Sequence, residues 1–145
     1  MSSPDSPAAA AAEARVHVVW RGDQRFEFGR DDKPSVTVDG TGQTGPSPFD
    51  GLLGAIGSCP AVDVVAILAK RRTPVESLEV DVVAKRFDGI PRRLISAELR
   101  FRISGRGIDR VDAERAIELA VTKYCSVRDS LDRAIPITWR LELTG

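Results

Sequence analysis

Between Pro48 and Arg72 the chain runs through apolar residues that fall on every side of a helix rather than along one stripe. Leu52, Leu53, Ala55, Ile56, Val62, Val64, Val65, Ile67 and Leu68 supply that surface. A helix that is apolar all round must be buried on nearly every face or lie in a membrane. Asp50, Ser58, Pro60 and Asp63 interrupt the segment and Lys70-Arg71-Arg72 ends it, a pattern that argues against a bilayer span. Ser47 stands at the N-cap position with Pro48 in the first turn, and the basic triplet complements the C-terminal dipole. The segment therefore predicts a long central helix inside a protein core. A chain of 145 residues encloses such a helix poorly by itself, so a homodimer that covers it is expected. Gly51, Gly54 and Gly57 recur at every third position. Each costs about 1 kcal/mol against alanine in a helix interior, which predicts close approach of another backbone. Pro60 removes one helical hydrogen bond and is expected to kink the helix beside Cys59.

The flanking segments read as an α+β protein. Met1 to Ala14, serine- and proline-rich and then a run of alanines, is expected to be a disordered tail, with residues 15–145 forming a single domain. Arg15–Trp20 and Gln24–Phe28 are strand-like runs joined by Gly22-Asp23, and Ser35–Val38 adds a third short strand. Together they form an N-terminal β-meander. Residues 39–48 are crowded with turn formers and read as a loop. After the central helix, Leu78–Phe87 and Arg93–Ser104 predict a β-hairpin around Asp88-Gly-Ile-Pro91. Glu98, Arg100 and Arg102 alternate with apolar residues, so that sheet has one wet and one dry face. A second helix is expected from Asp109 or Asp112 to Tyr124, then a short third helix capped by Ser126 and running to Leu131, then a final strand, Ile137–Leu143.

Lys plus Arg and Asp plus Glu each number 21, so the chain carries no net positive field with which to hold nucleic acid or an anionic membrane. Two cysteines are too few for a disulfide-stapled secreted fold, and the opening residues lack a signal-peptide pattern. A cytoplasmic address is expected. Gly40-Thr-Gly42-Gln-Thr-Gly45 matches the dinucleotide-binding fingerprint in spacing alone. Pro46 and Pro48 follow where a helix should start, and no parallel strand returns, so a flexible loop is expected instead. One histidine, His17, and two distant cysteines make no metal-ligand spacing, and His17 reads as a half-buried sheet residue.

Cys59 and Cys125 carry the remaining chemistry, and two readings stand. Free cysteine is a small hydrophobe at home in a core. Alternatively the two form a redox pair, one thiolate attacking an oxidant and the other resolving the product as a disulfide. Burial alone raises a thiol pKa, so the second reading requires a cation near Cys59. Arg21, Arg25 and Arg30 are the candidates, with Arg25 favoured, and Asp50 is placed to orient one of them. Asp63, one helical turn past Cys59, would oppose ionisation unless paired.

Ser47-Pro-Phe-Asp-Gly-Leu-Leu-Gly-Ala-Ile-Gly-Ser-Cys59 with Ala61-Val-Asp-Val-Val65, and later Lys123-Tyr-Cys-Ser-Val127, resemble the two cysteine signatures of the OsmC/Ohr superfamily, the osmotically inducible and organic hydroperoxide resistance proteins. The resemblance spans Arg15 to Leu143. It implies an intertwined homodimer with buried central helices. It also implies a thiol-dependent peroxidase acting on organic hydroperoxides, regenerated by an external dithiol and using no metal or organic cofactor. By that likeness Cys59 is the peroxidatic nucleophile and Cys125 the resolving thiol, while a carboxylate and an arginine hold the thiolate. The family glutamate after the proline is Phe49 here, and Asp50 is the nearest carboxylate. Phe49, Leu52, Leu53, Ile56 and Val62 are expected to line the substrate site and favour organic over hydrogen peroxide. Two rivals remain: a non-catalytic dimer binding an apolar small molecule around Cys59, and a structural dimer with inert thiols.

Overall fold

The computed structural model describes residues 11–145; of the expected tail, residues 1–10 lie outside the described residues, and 11–14 are exposed and irregular. The chain divides into two compact units, Met1–Phe49 and Asp50–Gly145. In the first unit, β1 (His17–Trp20), β2 (Arg25–Gly29) and β3 (Val36–Asp39) form the expected antiparallel meander in the order β1-β2-β3. The β1–β2 turn places both Gly22 and Asp23 at positive φ, and the Trp20 indole donates to the Asp23 carbonyl at 2.9 Å. His17 is exposed rather than half-buried, because its face of the short edge strand β1 is uncovered.

The glycine-rich loop after β3 is organised around one carboxylate, contrary to the flexible loop expected from its composition. Asp39, 4% exposed, accepts hydrogen bonds from the Thr41 amide and hydroxyl and from the Thr44 amide and hydroxyl, at 2.7–3.0 Å. Local side-chain-to-backbone bonding of this kind turns a chain without regular structure. These donors, the Thr44 hydroxyl foremost, hold the Asp39 carboxyl well below the usual range against the opposing effect of burial.

The second unit is built on α1 (Pro48–Lys70), which starts just ahead of it, and on a sheet of β4 (Ser77–Arg86), β5 (Leu94–Ser104) and β6 (Ile137–Thr144) in that order. β4 and β5 form the expected antiparallel hairpin. β6 lies parallel to β5, a pairing that a short turn cannot make and that the intervening helices supply as a crossover. Leu94, Ala97, Leu99, Phe101 and Ile103 of β5 are buried, while Glu98, Arg100 and Arg102 face out; Glu98 pairs with Arg100 and Arg140, and Arg102 with Glu79 and Asp81. The dry face carries α1 and α2 (Arg110–Leu119). Gly57 lies against Val82 of β4, and Glu118 of α2 accepts from the Trp139 indole of β6 at 3.1 Å. Arg71 joins the end of α1 to Asp112 of α2 at 2.9 Å.

The central helix is continuous through Pro60, which is buried. Its buried residues, Ile56, Gly57, Pro60, Val64 and Leu68, form one stripe at near four-residue spacing, the side that this single chain covers. A single three-stranded sheet has one face to offer, so Val62 and Val65 stay 68% and 42% exposed. Finally, of the three glycines only Gly57 meets a close neighbour, and that neighbour is a valine side chain rather than a backbone; Gly51 and Gly54 face open space.

Candidate functional site

Two interruptions of regular helix place the thiols. α2 is capped by Asp109, whose carboxylate accepts from the Val111 amide at 3.2 Å, and its buried stripe of Ala113, Ala116 and Ile117 seats it on the sheet. The expected continuation to Tyr124 is not α-helical, because residues Ala120–Tyr124 widen into a π-turn. There the Thr122 hydroxyl donates at 2.6 Å to the Glu118 carbonyl, the acceptor an α-turn reserves for the Thr122 amide. The chain leaves this turn extended at Cys125 and re-enters a single helical turn, α3 (Ser126–Asp129). The cap of α3 is Cys125 rather than Ser126: its sulfur accepts the Arg128 amide at 3.2 Å. Ser126, freed from capping, turns its hydroxyl toward Cys59 Sγ at 3.9 Å.

Cys59 arrives from the middle of α1, half-buried, and Cys125 is buried; both are free thiols. The two thiols lie close enough to influence each other's ionisation, although 66 residues separate them in sequence (125 − 59). Their environments push them apart. Burial, the largest single influence on each, raises both. At Cys59 it is outweighed by the Val127 amide, the Cys125 thiol, and the Ser126 hydroxyl and amide, so this thiol is held below its ordinary value. At Cys125 burial prevails, reinforced by the neighbouring Cys59 and its negative charge, and the thiol is pushed up despite the Arg128 amide. When one proton is lost from the pair, the charge therefore rests on Cys59 and the proton on Cys125.

The other residues named from sequence fall as follows. Arg25 opens β2 in the first unit, where it pairs with Asp23 at 3.0 Å and donates to the Arg21 carbonyl; Arg21 itself pairs with Glu27 at 3.3 Å. The donors that lower Cys59 are neutral groups from α3 and Cys125. Asp50 occupies the first turn of α1, and Asp63, on the same helix, is half-buried. Among the expected lining residues, Ile56 is 2% exposed and belongs to the core beneath α1, so it cannot line an open site. Phe49, Leu52 and Leu53 are half-buried at the start of α1, and Val62 is on its open side. An open cleft of about 690 Å³ lies instead beside the π-turn and α3, with Cys125 in its wall and none of the five among its lining. Among the described residues no three His, Cys, Asp or Glu side chains converge to hold a metal ion.

Sequence reasoning named both cysteines but missed the donors. Ser126 and the Val127 and Arg128 amides matter through backbone geometry, and the only local signal was the polar residue that follows Cys125. Residues 40–140 match the family model of the OsmC-like proteins. The chain is 38% identical over 111 residues to Protein YhfA of Escherichia coli K12, an alignment covering 76% of this chain and 83% of that protein. In fold it is similar to an OsmC like protein from Mycoplasma pneumoniae, with a TM-score of 0.77 at 16% identity, covering 92% of this chain and 99% of that one. The organic hydroperoxide resistance protein OhrB of Bacillus subtilis shares the fold at a TM-score of 0.58 and 15% identity, covering 90% of this chain and 98% of that one.

Proposed function

Since the chain belongs to the OsmC-like family within the OsmC/Ohr superfamily, we propose that it is a thiol peroxidase that reduces organic hydroperoxides through Cys59 and Cys125. The observation that carries this reading is that α3 brings Cys125 to Cys59: the hydroxyl of Ser126, the next residue in the chain, stands 3.9 Å from Cys59 Sγ, and the two thiols shift each other, Cys59 down and Cys125 up. Cys59 Sγ attacks the distal oxygen of the hydroperoxide, the O–O bond breaks, and the alkoxide leaves and takes a proton from solvent. Cys59 is then a sulfenic acid. The Cys125 sulfur attacks it, the S–O bond breaks, and hydroxide leaves with the Cys125 proton as water, giving the disulfide. The peroxide gains the two electrons that the thiols lose, and an external dithiol restores them. The Val127 amide and the Ser126 amide and hydroxyl favour the ionised form of Cys59.

One equivalent of cumene hydroperoxide should convert the protein to a species lighter by two hydrogens, and Cys125→Ser should stop at a sulfenic acid trappable by dimedone. Two free thiols after treatment would defeat the proposal and leave the rival reading, an apolar-ligand module whose affinity survives Cys59→Ser. The proposal extends to the assembly: a second copy of the chain covers the open apolar side of α1, where Val62 and Val65 are exposed. Sedimentation velocity at micromolar concentration should find a dimer, and a monomer there would remove this part.

A further inference from the structure

The cleft of about 690 Å³ beside α3 has Cys125 in its wall but not Cys59, and its charges are unequal. Lys123, Arg128 and Arg133 line it against the single carboxylate of Asp129. Arg133 is matched to Asp129 by an ion pair of 2.6 Å. Arg128 spends its guanidinium on the backbone carbonyls of Asp132, Arg133 and Ile135 at 2.9–3.3 Å, which fixes its position without cancelling its charge. Lys123 rests 5.4 Å from the centre of the Tyr124 ring. Two cations thus line the approach to a buried sulfur with no carboxylate partner among the described residues, a distribution that attracts an anion.

Resting on the peroxidase reading above, we propose that this cleft admits the reductant, and that the reductant is a small thiol carrying a negative charge, such as a carboxylate, that attacks Cys125 Sγ. In that step the incoming thiolate forms an S–S bond to Cys125, the Cys59–Cys125 bond breaks, and its electron pair departs on Cys59. A second thiolate, from the same dithiol or another molecule, attacks the reductant's sulfur in the mixed disulfide. The oxidised reductant leaves as a disulfide, and Cys125 departs with the electron pair and takes a proton from water. Two electrons have passed from two thiolates to the protein. Attack on this sulfur has two advantages. Cys125 is the sulfur the cleft reaches, and the group expelled is Cys59, whose thiolate the α3 donors already stabilise; the more acidic thiol leaves faster.

The test uses the full chain oxidised with diamide, so that it does not depend on hydroperoxide turnover. Reduction is timed with 3-mercaptopropionate, 2-mercaptoethanol and cysteamine, each rate divided by that thiol's rate on the uncharged bis(2-hydroxyethyl) disulfide. At low ionic strength the anionic thiol should exceed the neutral one by about three-fold, as expected for one unit charge at contact range in high dielectric. Cysteamine should fall below both, and the spread should shrink at about 0.5 M salt. Lys123, exposed and free of structural hydrogen bonds, is the residue to vary: Lys123→Gln, which leaves Arg128, should shrink the spread and Lys123→Glu, which offsets Arg128, should flatten it. Quenching with N-ethylmaleimide should find the mercaptopropionate adduct on Cys125 and the maleimide on Cys59. Equal normalised rates at low salt, or the adduct on Cys59, would overturn the proposal, and so would failure of diamide to form the disulfide. A disulfide formed by diamide but not by hydroperoxide would count against the peroxidase reading alone, and the charge order would still decide the cleft.

Discussion

Replacing Gly57 by alanine sets two known effects against each other at one atom. In an open helix interior the change stabilises by about 1 kcal/mol. Here a Cβ on Gly57 would lie 2.6 Å from Cγ2 of Val82, with Val80 Cγ1 next at 3.6 Å. Valine is branched at Cβ and stiff at χ1, so it cannot swing its methyl aside, and overpacking of this kind costs about 1–3 kcal/mol. Gly57→Ala should therefore destabilise by as much as about 2 kcal/mol, after the helix gain is subtracted. Val82→Ala removes the obstructing methyl. Alone it should cost about 1 kcal/mol, since Val82 is only half-buried. In that background Gly57→Ala should turn stabilising by about 1 kcal/mol, a reversal of sign. Urea unfolding at fixed protein concentration reads this directly, as 1 kcal/mol moves the midpoint by about 0.5 M for a domain of this size. The same sign in both backgrounds would refute the claim that Val82 makes this glycine necessary.

Two further predictions concern ionisation. Asp39 has its carboxyl depressed in the folded state, so its contribution to stability is present above the unfolded value of about 4 and is lost as pH falls toward the folded value. Below about pH 4 the wild-type unfolding temperature should therefore fall more steeply than that of Asp39→Asn; parallel curves would mean that the Thr41 and Thr44 donors do not bind the charge. Cys59 is held low and Cys125 pushed up, so iodoacetamide should label Cys59 at lower pH than Cys125, as read by peptide mass mapping. Ser126→Ala should move the Cys59 profile to higher pH, and coincident profiles for the two cysteines would contradict the site as described.

Local patterning carried much of this protein. Alternation from Leu94 to Ile103 fixed which face of β5 is dry, and the run from Pro48 to Arg72 marked α1 to within two residues of its end, because each signal lies within one element. The two cysteines were likewise legible as the chemistry-bearing residues. What surrounds them was not. Thr122 and Glu118 turned the end of an apolar stripe into a π-turn, and Cys125 took the cap that Ser126 should have held; both are contests among nearby donors that residue identity leaves undecided. Periodicity also could not say that β6 would lie parallel to β5, or that Gly57 would meet Val82 while Gly51 and Gly54 met nothing. The opposite acidities of the two thiols belong wholly to this second kind. Sequence supplies two identical groups; only the arrangement of α1 against α3 gives Cys59 donors enough to outweigh burial and leaves burial dominant at Cys125, because desolvation and hydrogen bonding act through space and not along the chain.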